Sequence, residues 1–470
     1  MNLKTELLPH QKEAFDKLKD VKAFALFMDM GTGKTRTTLE FIKYREHKIT
    51  KVVWLTPCST KYNLKTDIEK HSDADVGIIE DKENHFITIC GIETISMSDK
   101  IYLKINKLVE DNPNCFIIID ESHTIKNPHS KRFFRIKKWT DKSKYRTILT
   151  GTPITKNTED LFTQFYFLHP KILGYNSYRH FAAIHLRYSE KYPGMIVEYL
   201  NVDFINRRIY PYIYQKKKEE CLDLPKRVFT RRHFDVSSKT QDAYNIIKEA
   251  IFSQDIEEFD GTVLFNLFLY LARISAGYFP QYGEIRGLLP KYLPDEYCFE
   301  DNCRAEFLQE VLEEFKEHKI IVYYRFNADA EIIQKNIKNK CYVINGSVKP
   351  NVRNDIIKDF EKDTSDAILL INQKSGAYGL NLQFANCLIF YDGDFNFSER
   401  KQAEDRIYRI GQEKQTFIVN MISNLSIDER IQDNIDCKGA TLNNLIKEIK
   451  NAKDNKDRLK EIRDKIKSMV

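Results

Sequence analysis

Gln402-Ala403-Glu404-Asp405-Arg406-Ile407-Tyr408-Arg409-Ile410-Gly411-Gln412 is the stretch whose reading decides the fold. Its spacing predicts a helix with Arg406 and Arg409 on one face, because residues three apart are neighbours on a helix surface. Gly411 is then a natural helix stop. Alone, two arginines on a helix read as a solvated or ion-paired surface. Three segments upstream change that reading. Met28-Asp29-Met30-Gly31-Thr32-Gly33-Lys34-Thr35 lies near the start of the chain. Asp120-Glu121-Ser122-His123 and Leu149-Thr150-Gly151-Thr152-Pro153 follow it.

Outward from these segments, short apolar runs alternate with helix-like stretches in two blocks. In the first block the runs are Ala23–Met28, Val52–Thr56, Phe86–Cys90, Phe116–Asp120 and Tyr145–Leu149. In the second they are Ile320–Tyr324, Cys341–Ile344, Ala367–Ile371, Cys387–Tyr391 and Phe417–Met421. Each is short, rich in Ile, Val and Phe, and bounded by turn or helix signals. Such runs predict buried parallel strands with crossover helices, hence two successive α/β lobes. The interval between them is rich in aromatics, Lys and Arg, with helical patterning at Thr240–Gln254 and Gly261–Ala276. The expected division is a first lobe over 1–158, a mostly helical insertion over 159–310, a second lobe over 311–438 and a C-terminal amphipathic helix over 439–470. Leu442, Leu445, Ile446 and Ile449 set the helical spacing of that tail.

The 470 residues suffice for two or three domains with their own cores. The net charge of +6 permits a nucleic-acid partner without requiring one. No apolar run reaches the ~18 residues of a membrane helix. The start, MNLKTELLPHQ, lacks a signal-peptide core, so a cytoplasmic protein is expected. The nine cysteines are scattered, and the Cys298/Cys303 spacing suits no common zinc motif. Free thiols in a reducing compartment are expected.

The chemistry follows from residue types in context. Gly31-Thr32-Gly33-Lys34-Thr35 lies between a strand-like run and a helix-like one, Arg36 to Glu46. Glycines let backbone N–H groups close around phosphate oxygens, and the helix N-terminus adds positive charge. Lys34 would reach the outer phosphates of ATP and Thr35 would hold Mg²⁺. The strict loop pattern wants Gly where Met28 stands. Asp120, at the end of a buried strand, suits Mg²⁺, and Glu121 suits the attacking water. Gln11, about twenty residues before the loop, carries an amide able to read an adenine edge. Thr150 and Thr152 sit on a turn after a strand. Ser375 to Leu382 offers glycines and a hydroxyl after another strand. A phosphate loop, an acidic metal site, a threonine-glycine turn and a distal arginine pair, in that order, predict a two-lobed motor hydrolysing ATP between its lobes.

Together these residues resemble superfamily-two helicases, specifically the Swi/Snf-type DNA translocases. The family's QAxDRxxRIGQ signature is matched from Gln402 to Gln412, its DMGxGKT loop from Asp29 to Thr35, its DESH-type box from Asp120 to His123 and its LTGTP turn from Leu149 to Pro153. The segment ending GLNL is matched at Gly379–Leu382, with the preceding run altered to Asn372-Gln373-Lys374-Ser375-Gly376-Ala377-Tyr378. Leu8-Pro9-His10-Gln11 resembles the adenine-reading motif. Val53–Thr60 and Cys90–Ile95 resemble the first-lobe DNA-tracking motifs, and Asn345-Gly346-Ser347 a second-lobe counterpart. The resemblance spans about Leu7 to Arg430.

The resemblance implies two tandem RecA-like parallel-sheet lobes with a helical insertion. It implies catalytic roles for Lys34, Asp120, Glu121, Arg406 and Arg409. ATP would be bound by Gln11, Met30, Gly31, Thr32, Gly33, Lys34, Thr35, Gly379, Arg406 and Arg409, with Mg²⁺ on Thr35 and Asp120. DNA would be gripped by Ser59, Thr94, Ser347 and Ser375. The implied partner is double-stranded DNA, largely independent of sequence, together with DNA-bound proteins to be displaced. Without room for chromatin-reading domains, the chain looks like the small stand-alone type of bacteria, phages or other viruses, working in the cytoplasm or host cytoplasm. A strand-separating DNA or RNA helicase is the alternative, although no wedge element is identifiable. A non-catalytic ATP-gated clamp is disfavoured by the intact Lys34, Asp120, Glu121 and Arg409.

Overall fold

The computed structural model describes residues 1–80, 85–151, 159–188, 196–221, 224–252, 261–279, 299–373, 380, 382–437 and 456–469. The chain forms two compact units, Met1–Leu224 and Pro225–Val470.

In the first unit, β1 (Ala23–Met28), β2 (Val52–Thr56), β3 (Val76–Ile78), β4 (Ile87–Gly91), β5 (Phe116–Asp120) and β6 (Tyr145–Leu149) are strands. A hairpin, β7 (Leu186–Tyr188) with β8 (Ile196–Tyr199), precedes β9 (Ile213–Lys216). The main sheet has the order β3-β4-β2-β5-β6-β1-β9, and every pairing within it is parallel. Both faces are covered, which is why these strands read as unbroken apolar runs. Along β1 the side chains alternate between two cores. Phe24, Leu26 and Met28 enter one, and Ala23, Ala25 and Phe27 enter the other. Full burial of side chains the size of Phe24 and Leu26 contributes roughly 1.5–3 kcal/mol each.

The second unit repeats the plan. It contains β10 (Arg227–Phe234), a short pair β11 (Tyr278–Phe279) and β12 (Phe299–Glu300), then β13 (Ile320–Tyr324), β14 (Cys341–Ile344), β15 (Ile368–Asn372), β16 (Cys387–Phe390) and β17 (Thr416–Ser423). Its sheet has the order β10-β17-β16-β13-β15-β14, again all parallel. Ile320, Val322 and Tyr324 face one core while Ile321 and Tyr323 face the other. The α/β class with two parallel sheets expected from the sequence is the architecture observed.

The segment 159–310 is shared between the two units. β9 adds an edge to the first sheet, and β10 pairs with β17 over eight residues of the second. The helices Ser238–Phe252 and Gly261–Ser275 pack with Ser426–Asp436 and Lys456–Met469 around Tyr244, Ile247, Leu271, Ile427 and Ile462. The tail helix is thus observed over Lys456–Met469, while Leu442, Leu445, Ile446 and Ile449 lie outside the described residues. Among the described residues, no helix is long and apolar enough to cross a membrane.

Candidate nucleotide and arginine sites

The first unit gathers its candidate residues at one edge of one sheet. The loop Asp29–Gly33 follows β1, Asp120 ends β5, and Thr150 follows β6. These three strands are neighbours in the order β5-β6-β1. Ligands of parallel sheets bind at this carboxyl edge because the crossovers leave it open. Gly31 and Gly33 adopt φ of 78° and 85°, where a side chain is strained. The helix Lys34–Tyr44 then begins, so its leading N–H groups face the loop. Lys34 Nζ turns back onto the loop, donating to Met28 O at 2.9 Å and Asp29 O at 3.4 Å. Phosphate oxygens are the stronger acceptors for such an ammonium.

Gln11 is tied to the same loop. Its Nε2 donates to Thr32 O at 3.1 Å, and its Oε1 accepts the Leu8 N–H at 3.0 Å. His10 Nε2 lies 2.8 Å from the same Thr32 oxygen. A Cβ on Gly33 would stand 2.2 Å from Gln11 Nε2. The amide therefore helps set the loop's shape. The His10 contact was not anticipated from sequence, since nothing in Leu8-Pro9-His10-Gln11 marks which side chain faces the loop.

Burial, and then the neighbouring Glu121 charge, push the Asp120 carboxyl up to about 6, against the pull of Lys34. Two adjacent carboxylates with one ammonium are short of positive charge, so the donor set suits a divalent cation. Asp120 and Thr35 are the residues that would hold it. Thr56 Oγ1 donates to Asp120 Oδ2 at 3.4 Å, and Thr150 Oγ1 to Glu121 Oε2 at 3.4 Å. His123 Nδ1 stands 3.3 Å from Glu121 Oε2. Glu121 itself has φ 49° and ψ 56°. A non-glycine residue there costs on the order of 1–3 kcal/mol, and such strain concentrates where a side chain must be aimed.

Ser59 and Thr94 lie in short helical segments, Cys58–Thr60 and Thr94–Met97, after the neighbouring strands β2 and β4. Cys58 joins them: its N–H donates to Glu93 Oε2 at 2.8 Å and its Sγ lies 3.3 Å from Thr94 Oγ1. The structure thus brings these two candidates to one surface of the first unit. Thr152 and Pro153 lie outside the described residues.

In the second unit, the helix Phe397–Ile407 carries Arg406 but ends before Arg409. This corrects the expectation of one helical face. The cause is Gln412. Its Nε2 reaches the last helical carbonyl, Ile407 O, at 3.2 Å, along with Gln383 O at 3.0 Å and Ala385 O at 2.8 Å. Tyr408 leaves the helix with ψ 81°, and Gly411, at φ 93°, closes a turn in which Gln412 N–H donates to Arg409 O at 3.0 Å. Gly411 serves that turn and does not cap the helix directly. Arg406 is buried, and its charge opposes the upward push that burial gives the Tyr323 phenol. Ser347 is exposed in a turn after β14, where Asn345 Oδ1 accepts its hydroxyl at 2.6 Å and its N–H at 3.1 Å. Ser375 and Gly379 lie outside the described residues.

The helicase-like order of these segments is matched by comparison with known proteins. The SNF2-related domain matches residues 16–274, more than half of the chain, and the helicase conserved C-terminal domain matches residues 303–411. The chain belongs to the SNF2-related family. It is 24% identical to the TATA-binding protein-associated factor mot1 of Aspergillus fumigatus, over 91% of this chain and 26% of that one. It is 26% identical to the ISWI chromatin-remodeling complex ATPase ISW1 of Saccharomyces cerevisiae, over 91% of this chain and 39% of that one. The chain therefore spans only about a quarter to two-fifths of these relatives' length. Among solved structures it is similar to the Sulfolobus solfataricus SWI2/SNF2 ATPase core in complex with dsDNA, at 22% identity, covering 98% of this chain and 97% of that one, with a TM-score of 0.42.

Proposed function

We propose that this protein is an ATP-driven translocase on double-stranded DNA. The observation that carries the proposal is the convergence of Lys34, Thr35, Asp120 and a strained Glu121 at the carboxyl edge of one sheet, in a chain of the SNF2-related family. The phosphate loop would hold ATP by backbone N–H groups and Lys34. Mg²⁺ on Thr35 and Asp120 would neutralise charge developing on the phosphates. Glu121, aimed by its left-handed backbone, would orient the attacking water and take its proton. Arg406 and Arg409 would supply cationic charge to the transferring phosphoryl group, an effect worth roughly 10³–10⁵ in rate where measured elsewhere. Gln11 would read the adenine edge, and Gly379 would offer an N–H to phosphate.

Ser59, Thr94, Ser347 and Ser375 would contact DNA phosphates without reading bases, so binding would tolerate sequence and weaken with salt. ATP-driven closure and reopening of the lobes would move the protein along the duplex and displace proteins bound there. The finer reading, a small stand-alone bacterial, phage or viral form working in the cytoplasm, is supported by the sequence resemblance alone.

Steady-state ATP turnover with duplex DNA, single-stranded DNA, RNA and no polymer tests the proposal. Duplex DNA is expected to stimulate most, and a third strand paired to a duplex should be displaced while a simple fork stays intact. Stronger stimulation by single strands, with fork unwinding as fast as third-strand displacement, would replace the translocase with a strand-separating helicase. Turnover indifferent to every polymer would remove both.

A further inference from the structure

Arg227 is the first residue of β10, three residues past the boundary at Leu224. The parallel register Arg227↔Thr416 fixes its backbone against β17, and Thr416 N–H donates to Lys226 O at 3.2 Å. Its guanidinium lies 4.8 Å from the Tyr408 ring centroid and 4.9 Å from that of Phe229. Its Nη1 lies 3.5 Å from Glu404 Oε2.

Both partners belong to the arginine segment. Tyr408 is where the helix ends, between Arg406 and Arg409. Glu404 sits one turn earlier, and its carbonyl accepts the Tyr408 N–H at 3.1 Å. Its other carboxylate oxygen accepts Arg400 Nε at 3.0 Å. Arg227 thus holds the helix end by charge at Glu404 and by its cation over the Tyr408 ring. A guanidinium reaches both partners at once with its spread charge, whereas an ammonium is a compact point charge.

We propose that Arg227 is a positioning residue for the Arg406–Arg409 segment, setting where its cations stand during ATP hydrolysis. The inference rests on the ATPase reading above.

The test measures duplex-stimulated ATP turnover of the full chain, normalised to the folded fraction by circular dichroism. Arg227→Ala should lower kcat about tenfold while the KM for ATP and the affinity for duplex DNA change less than about threefold, since an interaction felt only in the transition state moves kcat alone. Arg227→Lys should recover only part of the loss. Tyr408→Ala should show part of the Arg227→Ala loss, since the Glu404 contact remains, and the double variant should be no worse than Arg227→Ala, because the Tyr408 contact is one of the two that Arg227 makes. Additive losses, a rise in KM without a fall in kcat, or wild-type kcat in Arg227→Ala would overturn the inference. If Arg227→Ala does not fold, Arg227→Lys paired with Tyr408→Ala provides the same cycle. Lys34→Ala separates the two levels. Wild-type turnover in that variant would remove the ATPase reading, whereas an inactive Lys34→Ala beside a normal Arg227→Ala would remove only the role of Arg227.

Discussion

The first unit places its candidate chemistry on strand ends, and the second places its own on a helix end. Asp120 ends β5, Thr150 follows β6 and the loop leading to Lys34 follows β1, so the ladder hydrogen bonds of three adjacent strands set where these segments start. Arg406 and Arg409 straddle the end of one helix, and side chains hold that end: Gln412 on Ile407 O, Arg227 on Tyr408 and Glu404. Backbone-set positions tolerate changes in their surroundings. Side-chain-set positions depend on each support. The same fold, used twice, therefore produces a stiff half and an adjustable half.

The largest expected effects lie in the groups proposed to face the reaction. Lys34→Ala and Glu121→Gln should each lower ATP turnover by at least roughly 100-fold, because on the proposed function each removes charge or proton transfer aimed at the transition state. Glu121→Gln should still bind nucleotide, since it keeps size and hydrogen-bonding atoms. Arg409→Ala should fall comparably if the adjustable half supplies the decisive cation. Steady-state turnover with saturating duplex DNA measures all three. Near-wild-type turnover in Arg409→Ala, with the other two inactive, would transfer that role to Arg406.

A pH experiment probes how the second half handles buried charge. Burial pushes the Asp329 carboxyl of the second unit from 3.8 up to about 7, with Arg304 and Arg325 opposing. Its Oδ2 accepts the Phe326 N–H at 2.7 Å. The folded chain holds this proton more tightly than the unfolded chain. The stability it contributes is therefore full below about pH 4 and is lost as pH rises through about 7. Asp329→Asn does not titrate. Its melting temperature relative to wild type should therefore rise between pH 4 and pH 8. A difference that stays flat across that range would show that Asp329 titrates normally.

The strands were legible where burial on both faces wrote continuous apolar runs. Ala23–Met28, Val52–Thr56, Phe116–Asp120, Tyr145–Leu149, Ile320–Tyr324 and Cys341–Ile344 were expected with the bounds observed. The strands that escaped notice are edges or short. Val76–Ile78 has three residues, and β9 is followed by lysines. β10 is interrupted by Arg231, Arg232 and His233, and its alternation of half-buried and exposed positions is not written as an alternation of apolar and polar residues. The phosphate loop was legible because its chemistry is local backbone chemistry. The end of the helix at Ile407 was not, because the amide that fixes it also binds Gln383 and Ala385, and such contacts exist only in the folded chain. Arg227 was silent for the same reason, its partners lying far along the chain.

The smallest expected effect compares two glycines, one in each half. Gly33 has φ +85° and Gly411 has φ +93°, so alanine at either position meets the left-handed penalty of about 1–2 kcal/mol. Their surroundings differ. A Cβ on Gly33 would stand 2.2 Å from Gln11 Nε2, whereas the nearest atom to one on Gly411 is Gln383 Nε2 at 3.6 Å, an ordinary contact. Gly33→Ala must therefore also push Gln11 off Thr32 O, losing a further hydrogen bond of about 1 kcal/mol. Urea unfolding should show Gly33→Ala as the more costly change by about that amount. Only Gly33→Ala should also weaken nucleotide binding, because only there does the added atom disturb the loop that would hold phosphate. Equal penalties would mean that Gln11 moves aside without cost, and the stiffness assigned to the first half would not extend to its loop.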